Sequence, residues 1–257
     1  MLASGLASLR PRTRWLGQGL QWRDEVASSN DWALAEAVAG AAHGSVYGAE
    51  HQTHGRGRQG RSWTCGRGKG LTFSLVLRWA GAFDELGRAT LAVSAGLCQA
   101  LREAGLGAAH IKWPNDLLVG SRKIAGVLSE TRAAGGTASF VVVGVGLNVN
   151  QEQSELPQGA TSWRVEMACE GKREELLEGM LQGIETAWET LEQRGFAEVA
   201  RQWSALAPWA LGRGVRVEHE GRPTLGVSAG IDERGGLRVV LAGGEVITVV
   251  AGGVEFS

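Results

Sequence analysis

No stretch of the chain approaches the roughly 20 consecutive apolar residues that a membrane-spanning helix requires. Residues 1–24 carry Arg10, Arg12, Arg14 and Arg23 without a sustained apolar run, so they do not resemble a signal peptide. Cysteine is scarce. Cys65, Cys98 and Cys169 are odd in number and far apart, which excludes a disulfide framework and a CxxC metal site and points to free thiols in a reducing compartment. The five histidines show no HExxH or other ligand spacing. Net charge is lacking too: 26 basic against 27 acidic residues leave −1, so no global field draws the chain onto nucleic acid or a membrane. There is no internal repeat and no low-complexity tail. The expected location is the cytoplasm.

Against that even balance, one segment stands apart. From His51 to Phe83 there are six cations and no carboxylate. Its first half reads HQTHGRGRQGRSWTCGRGKG, with Arg56, Arg58, Arg61, Arg67 and Lys69 alternating with glycines. Glycine lets backbone N–H groups turn inward, and arginine supplies planar forks suited to oxyanions. A solvated basic loop and an RGG-like nucleic-acid segment are the alternatives. Confinement of the charge to one loop, Trp63 within it and strand-like sequence directly after it favour an ordered anion-binding loop. Cys65, in the same loop, reads as a bystander.

The elements around it follow from periodicity. Ser28-Ser29-Asn30-Asp31 before an alanine-rich apolar run predicts a helix start. Thr72–Trp79 alternates, with Phe73, Leu75, Leu77 and Trp79 on one face of a strand. Asp84–Gly105 reads as a long helix, and Ala109–Trp113 as a short strand stopped by Pro114. Lys123–Glu130 and Ser139–Val143 are further strands, the second apolar enough for a central place. Lys172–Gly195 has helical spacing. After Pro208 the chain changes to short alternating strands with glycine-rich turns, the pattern of a small β-barrel.

Four segments hold polar residues that a fold alone does not need. Ser28-Ser29-Asn30 serves as a helix cap, and its hydroxyls can also bond a neutral polar ligand such as a urea or amide. Lys112-Trp113-Pro114-Asn115-Asp116 is either a turn or a strand end delivering an ammonium, an amide and a carboxylate to a ligand. In Arg122–Leu128, Lys123 either snorkels to solvent or presents its charge over Gly126. Gly144-Val145-Gly146-Leu147-Asn148 follows a strand but lacks the third glycine of a dinucleotide fingerprint.

SSN, QTxGRGRxGRxW, KWPND, KxAGxL and GxGxN, in this order and spacing, resemble the biotin protein ligases over roughly residues 25–257. Two positions depart from the family pattern: Ser29 replaces the usual threonine, keeping the hydroxyl, and Gly70 replaces a commoner asparagine. The resemblance implies an α/β (α+β) fold, a mixed, largely antiparallel sheet with helices, plus a small C-terminal SH3-like β-barrel. It implies an N-terminal stub at 1–24, a catalytic domain at 25–208 and the barrel at 209–257. The implied substrates are ATP and biotin, with Mg²⁺ expected and no protein metal ligands assigned. The implied partner is a biotin carboxyl carrier domain of the acetyl-CoA carboxylase type. A homodimer is compatible with the family. The 24 residues before the first motif are too few for three helices of about 11–12 residues each, so specific DNA binding is not expected.

The site implied by the resemblance is specific. Lys123, Arg58, Asp116 and Lys112 are the catalytic set. Ser28, Ser29, Asn30, Gln52, Arg56, Gly57, Arg58, Lys123, Gly126, Gly144 and Gly146 surround biotin. Arg58, Arg61, Trp63, Asn115 and Asn148 meet the nucleotide, with Trp63 over the adenine. A lipoate or octanoyl ligase is the nearest alternative, because it shares the catalytic fold.

Overall fold

Alternation along two strands explains most of the architecture. The computed structural model describes residues 5–79, 82–132, 139–219, 221–250, 252 and 254–256. In β3 (Gly70–Arg78), Leu71, Phe73, Leu75 and Leu77 are fully buried on one face of the sheet. Thr72, Ser74 and Val76 point to the other face. In β7 (Phe140–Asn148), Val141, Val143, Val145 and Leu147 share the first face, leaving Gly144 and Gly146 on the second. With every residue of β7 buried, the strand holds the centre of the sheet.

Seven strands form that sheet: β1 (Leu20–Val26), β2 (Ser45–Gln52), β3, β7, β6 (Arg122–Glu130), β5 (Asp116–Val119) and β4 (Ala109–Lys112), in this order. Only β1 and β2 run parallel, so the sheet is mixed and largely antiparallel. On its first face pack α2 (Leu86–Glu103) and α4 (Arg173–Arg194), with α5 (Phe196–Leu206) behind them. On the second face α1 (Ser29–Val38) covers only part of the sheet, burying Trp32, Ala33, Leu34 and Ala37 against Tyr47, Val76, Phe140 and Val142. Each such side chain removed from water contributes on the order of 1.5–3 kcal/mol. The uncovered remainder of this face is the glycine-lined part of β6 and β7. A short helix, α3 (Trp163–Met167), is capped by Ser162, which accepts from the Val165 N–H.

Five further strands, β8 (Leu211–His219), β9 (Arg222–Ile231), β10 (Leu237–Leu241), β11 (Val246–Val249) and β12 (Glu255–Phe256), make a second, antiparallel sheet. Its order, β11-β10-β9-β8-β12, leaves β11 and β12 as edges among the described residues, so the expected barrel is not closed. The indole N–H of Trp113 donates to the Gly235 carbonyl at 3.0 Å, and Arg234 pairs with Asp84 at 2.8 Å, tying the two sheets together. Among the described residues no helix is long and apolar enough to cross a membrane.

Residues 5–24 do not hang free as a stub. Leu6 and Leu16 are fully buried in the main core. Glu185 of α4 accepts the backbone N–H groups of Arg14, Trp15 and Leu16 at 2.8–3.0 Å, and Glu178 accepts that of Arg12. Burial works against the Glu185 charge, but the donors at Leu16, Arg14 and Trp15 outweigh it and hold the carboxyl below its ordinary range. That anchoring is present at neutral pH and is lost as acid protonates the group.

Where α2 crosses α4, Gly96 faces Gly183, and a Cβ on Gly96 would run into the Gly183 carbonyl. Backbone blocks the site, so the helices must part. Gly96→Ala is expected to destabilise the protein by about 1–3 kcal/mol, lowering the melting temperature by several degrees. An unchanged melting curve would show that the two helices slide apart without cost.

Candidate active site

The glycines leave a trough. Gly126 pairs with Gly146 across β6 and β7, and Leu128 with Gly144. No side chain rises from the sheet at those three glycine positions, and the second face opens into a cavity of about 380 Å³. Other atoms have moved in. A Cβ on Gly144 would collide with the Asn30 amide, and one on Gly146 with the Trp63 indole.

One end of the cavity is the start of α1. Ser28 occupies the N-cap position in extended conformation but makes no side-chain capping bond. Instead the Gln52 side-chain oxygen accepts the Ser29 N–H at 2.7 Å. Ser28, Ser29 and Asn30 are buried and line the cavity; Ser29 is bonded to Gln52 and Ser74, and Asn30 to Ser74, Leu128 and Glu130.

The basic segment folds over the trough as a tight hairpin. Gly57 N–H donates to Arg61 O, Trp63 N–H to Gly55 O, and Arg56 bridges Ser62. Gln59 at φ 56° and Gly60 at φ 72° turn the chain at its tip. Its base is held by a partly buried ion pair: Arg173 of α4 contacts Glu50 at 2.7 Å and also the Gly70 carbonyl, while the Gly68 N–H donates to Glu50 O. A Cβ at Gly70 would lie 2.7 Å from the Leu147 carbonyl, so the smaller residue fits a strand start where a larger one would strain.

Arg56, Gly57, Arg58, Arg61 and Trp63 of this hairpin all line the cavity. Arg56 is neutralised twice, by Asp31 and Glu130, each at 2.8 Å. Arg58 donates to Asn115 Oδ1 at 3.3 Å. Burial lowers its pKa, opposed by the charge of Asp116. Among the described residues no carboxylate pairs with Arg58, Arg61 or Lys112, so three of the five lining cations are available to an anion.

The opposite wall comes from KWPND and the strand after it. Asp116, expected in a turn or strand end, begins β5 and faces Lys123 across it, Oδ1 to Nζ at 2.6 Å. The backbone of Lys123 is fixed on both sides, its N–H to Gly159 O and its C=O from Thr161 N–H. Its Nζ lies close over Gly126, where a Cβ would be only 3.1 Å away, and 5.6 Å from the Trp63 ring centre. Asn115 is locked to Val127 by side chain and backbone. The peptide bond between Trp113 and Pro114 is cis. Lys112, Asn115 and Asp116 reach the cavity, and Gly252, Val254 and Glu255 close it from the second sheet.

Of the residues expected from the sequence, the structure gathers every one around this cavity except Asn148. Asn148 lies in β7 with its amide engaged by Thr161 O and the Gln151 side chain, off the cavity wall. The GxGxN segment was expected after its strand and is inside it, which is why Asn148 is 5% exposed. Trp63 does not stand as a lid; its indole rests on the glycine floor with Nε1 buried and unpartnered among the described residues. The motifs missed Gly252, Val254 and Glu255 on the cavity wall, and behind it Glu130, beneath Arg56 and Asn30, and Ser74, beneath Ser29. Alternation was the available signal for Glu130, because Gly126, Leu128 and Glu130 share one face of β6.

Comparison with known proteins gives this geometry a context. The Biotin/lipoate A/B protein ligase family matches residues 28–148, and the Biotin protein ligase C terminal domain matches residues 210–257. The chain is 33% identical to the biotin–[acetyl-CoA-carboxylase] ligase of Mycobacterium tuberculosis, over 95% of this chain and 92% of that one. It is 30% identical to the bifunctional ligase/repressor BirA of Bacillus subtilis, over 87% of this chain and 70% of that one. Its fold is similar to the biotin protein ligase from Aquifex aeolicus solved with biotin and ATP, with a TM-score of 0.80, 26% identity, and coverage of 93% and 100%.

Cys65 sits at the base of the hairpin, accepting from Gln151 Nε2 at 3.1 Å, and burial pushes its thiol up to about 11. At pH 8 only about 0.1% is then thiolate. Maleimide at pH 8 should label exposed Cys169 first, and labelling of Cys65 should rise about tenfold per pH unit towards pH 10. Fast labelling of Cys65 at pH 7, read by peptide mass spectrometry, would instead reveal an activated thiol.

Proposed function

The chain belongs to the biotin/lipoate A/B protein ligase family, and we propose that its trough and basic hairpin hold biotin and ATP end to end for a two-step ligation. It is an ATP-dependent biotin protein ligase, which activates biotin to biotinyl-5′-AMP and passes it to a lysine of a carrier protein. The carrier domain of an acetyl-CoA carboxylase is the acceptor we propose. We assign catalysis to residues 25–208, joined in one sheet and core by residues 5–24, with 209–257 as a second domain closing the site.

The observation that carries the assignment of roles is the placement of Lys123 and Arg58. Both stand where the side-chain-free trough meets the cation-rich hairpin. The bicyclic head of biotin lies beside the Asn30 amide, which covers Gly144, and within reach of the hydroxyls and amide of Ser28, Ser29 and Gln52. Its carboxylate then points towards Lys123. The adenylate phosphate lies among Arg56, Gly57, Arg58 and Arg61, and the base takes the floor that Trp63 now occupies, the indole moving to cover it. Asn148 reads the adenine edge only if its bond to Thr161 or Gln151 is exchanged.

Chemistry follows from charge. A carboxylate approaching a triphosphate is repelled at every step unless countercharge is in place beforehand. Mg²⁺ bound with the triphosphate would supply part of it. Lys123 and Arg58 supply the rest. The biotin carboxylate oxygen bonds to the α-phosphorus while the bond to pyrophosphate breaks. In the second step the carrier amine attacks the anhydride carbonyl and AMP leaves. Asp116, released as Lys123 turns to the phosphate, takes the amine proton, and Lys112 at the mouth steadies the departing nucleotide.

A biotin carrier domain incubated with this protein, biotin and Mg-ATP should gain the mass of one biotin at one lysine, and lipoate in place of biotin should give no adduct. An adduct with lipoate alone would reassign the substrate. Lys123→Ala removes a charge-assisted contact at the reacting centre, a loss of about 2–4 kcal/mol. Biotin-dependent pyrophosphate exchange should fall by tens- to thousands-fold with the melting temperature nearly kept. Near-parental exchange in the folded variant would take Lys123 out of the reaction.

A further inference from the structure

A second cavity lies behind the first. About 200 Å³ in volume, it runs between the start of α2, the Trp113–Asn115 turn and the second sheet. Leu86, Thr90 and Leu91 line it from α2, Ser129 from β6, and Gly235 and Val250 from the second sheet. Val250 is 75% exposed and marks an end open to solvent. The Arg88 guanidinium donates to the Glu233 carbonyl at 2.8 Å, which joins the Trp113–Gly235 and Arg234–Asp84 contacts in fixing the walls. Arg58, Trp113, Pro114, Asn115, Val127 and Leu128 line both cavities and so form the partition between them. Most of that partition is fixed. Asn115 is tied to Val127 by its side chain and its carbonyl, and Trp113 to Gly235. Arg58 is held more loosely, donating to Asn115 at 3.3 Å, longer than is usual for an N–H···O bond. Every other residue described on the wall of the second cavity is uncharged.

We infer that this second cavity admits the side chain of the acceptor lysine, and that Arg58 is the door between it and the activated acyl group. The inference rests on the ligase reading above and specifies how its second substrate arrives. The acceptor has to reach the acyl carbon without displacing the adenylate, which fills the first cavity. Size suits the second. At about 30 Å³ per water-sized group it has room for about six, enough for a lysine arm and too little for a nucleotide. Its chemistry suits as well. In water a lysine amine is protonated and cannot attack. Apolar walls and the Arg58 charge at the inner end both disfavour the ammonium, so the arm arrives as the free amine. When Arg58 turns from Asn115 to the adenylate phosphate, the partition opens. The lysine thus gains access once an acyl-adenylate is there to receive it. Its nitrogen bonds to the acyl carbon, AMP leaves with the electron pair of the anhydride bond, and Asp116, next to Asn115, takes the proton.

The test fills the cavity from either wall. Thr90 on α2 and Ser129 on β6 both line it, their hydroxyl oxygens 2.7 Å apart. Thr90→Phe and Ser129→Leu each add bulk there, whereas Thr90→Val removes a hydroxyl and adds none. Each variant with a parental melting temperature is assayed for biotin-dependent pyrophosphate exchange, for biotin transfer to a carrier domain, and for biotinyl hydroxamate formation from hydroxylamine. Hydroxylamine is small enough to reach the adenylate without a channel shaped for a lysine arm. In Thr90→Phe and Ser129→Leu, carrier transfer should fall about 100-fold, the loss expected when a nucleophile is held about an ångström out of place. Exchange and hydroxamate formation should stay within about twofold of the parent, and Thr90→Val within about threefold in all three assays. The two filled variants alter different elements, so either one that folds decides the matter. Parental carrier transfer in a folded filled variant, or an equal loss in Thr90→Val and Thr90→Phe, would overturn the inference. Exchange falling as far as transfer would overturn it too, by placing the cavity in activation. A folded parent without biotin-dependent exchange would remove the ligase reading and this one with it, and the parent's own exchange, measured first, separates that case.

Discussion

The pairing of β6 with β7 sets Gly126 opposite Gly146 and Leu128 opposite Gly144, and the position of every ligand-facing group follows from that register. Side chains alternate between faces along a strand, so a slip of one residue would turn Val145 and Leu147 into the trough and glycines into the core. The core face prevents it. Val141, Val143, Val145 and Leu147 on β7 and Ala125 and Val127 on β6 are buried against the helices, and shifting them would expose the centre of the molecule. The apolar packing on one side of the sheet thereby holds in place the emptiness on the other.

Charge is distributed around the trough with equal economy. Arg56 is held by two carboxylates and acts as a strut fixing the hairpin to α1 and β6. Lys123 has a single partner, Asp116, on the facing strand, and both are partly open to solvent. Such a pair contributes little to stability, which leaves the ammonium free to exchange one anionic neighbour for another. Arg58 is different, being partly desolvated and satisfied by the neutral oxygen of Asn115. No carboxylate pairs with it directly among the described residues, although the nearby charge of Asp116 offsets part of its field. An arginine already neutralised and one still without a paired carboxylate thus lie two residues apart on one loop.

What could be read in the sequence was whatever a single face of one element determines. β3, β6, α2 and α4 carry apolar residues at the proper period, and their expected spans fall close to the observed ones, while β7 was expected to end at Val143 and continues to Asn148. β1 did not announce itself, because LQWRDEV is an edge strand with mostly exposed side chains. β2 is interrupted by Gly48, which is required because the Trp22 ring lies where its Cβ would be. β5 was hidden in a segment that reads as a turn, and α5 by following α4 after a single glycine. The site divides likewise. Motif spacing named the wall residues of the larger domain but not Gly252, Val254 and Glu255, whose place there depends on how the second sheet packs, nor Ser74, which became visible only when neighbouring strands were laid side by side. The strand containing GxGxN runs further than its apolar stretch because glycine, having no side chain, hides its strand from any hydrophobic pattern.

The clasp on residues 12–16 also has a bearing on time. Their backbone donors are bonded to carboxylates on α4 some 166 to 171 residues further along the chain. At a synthesis rate of roughly 5–20 residues per second, a growing chain presents those donors on the order of ten seconds before their acceptors exist. Until then Leu6 and Leu16 lack the helix that completes the core around them. The earliest part of the molecule to be made is thereby among the last to be fastened, and its apolar side chains spend that interval exposed to whatever else the cell offers them.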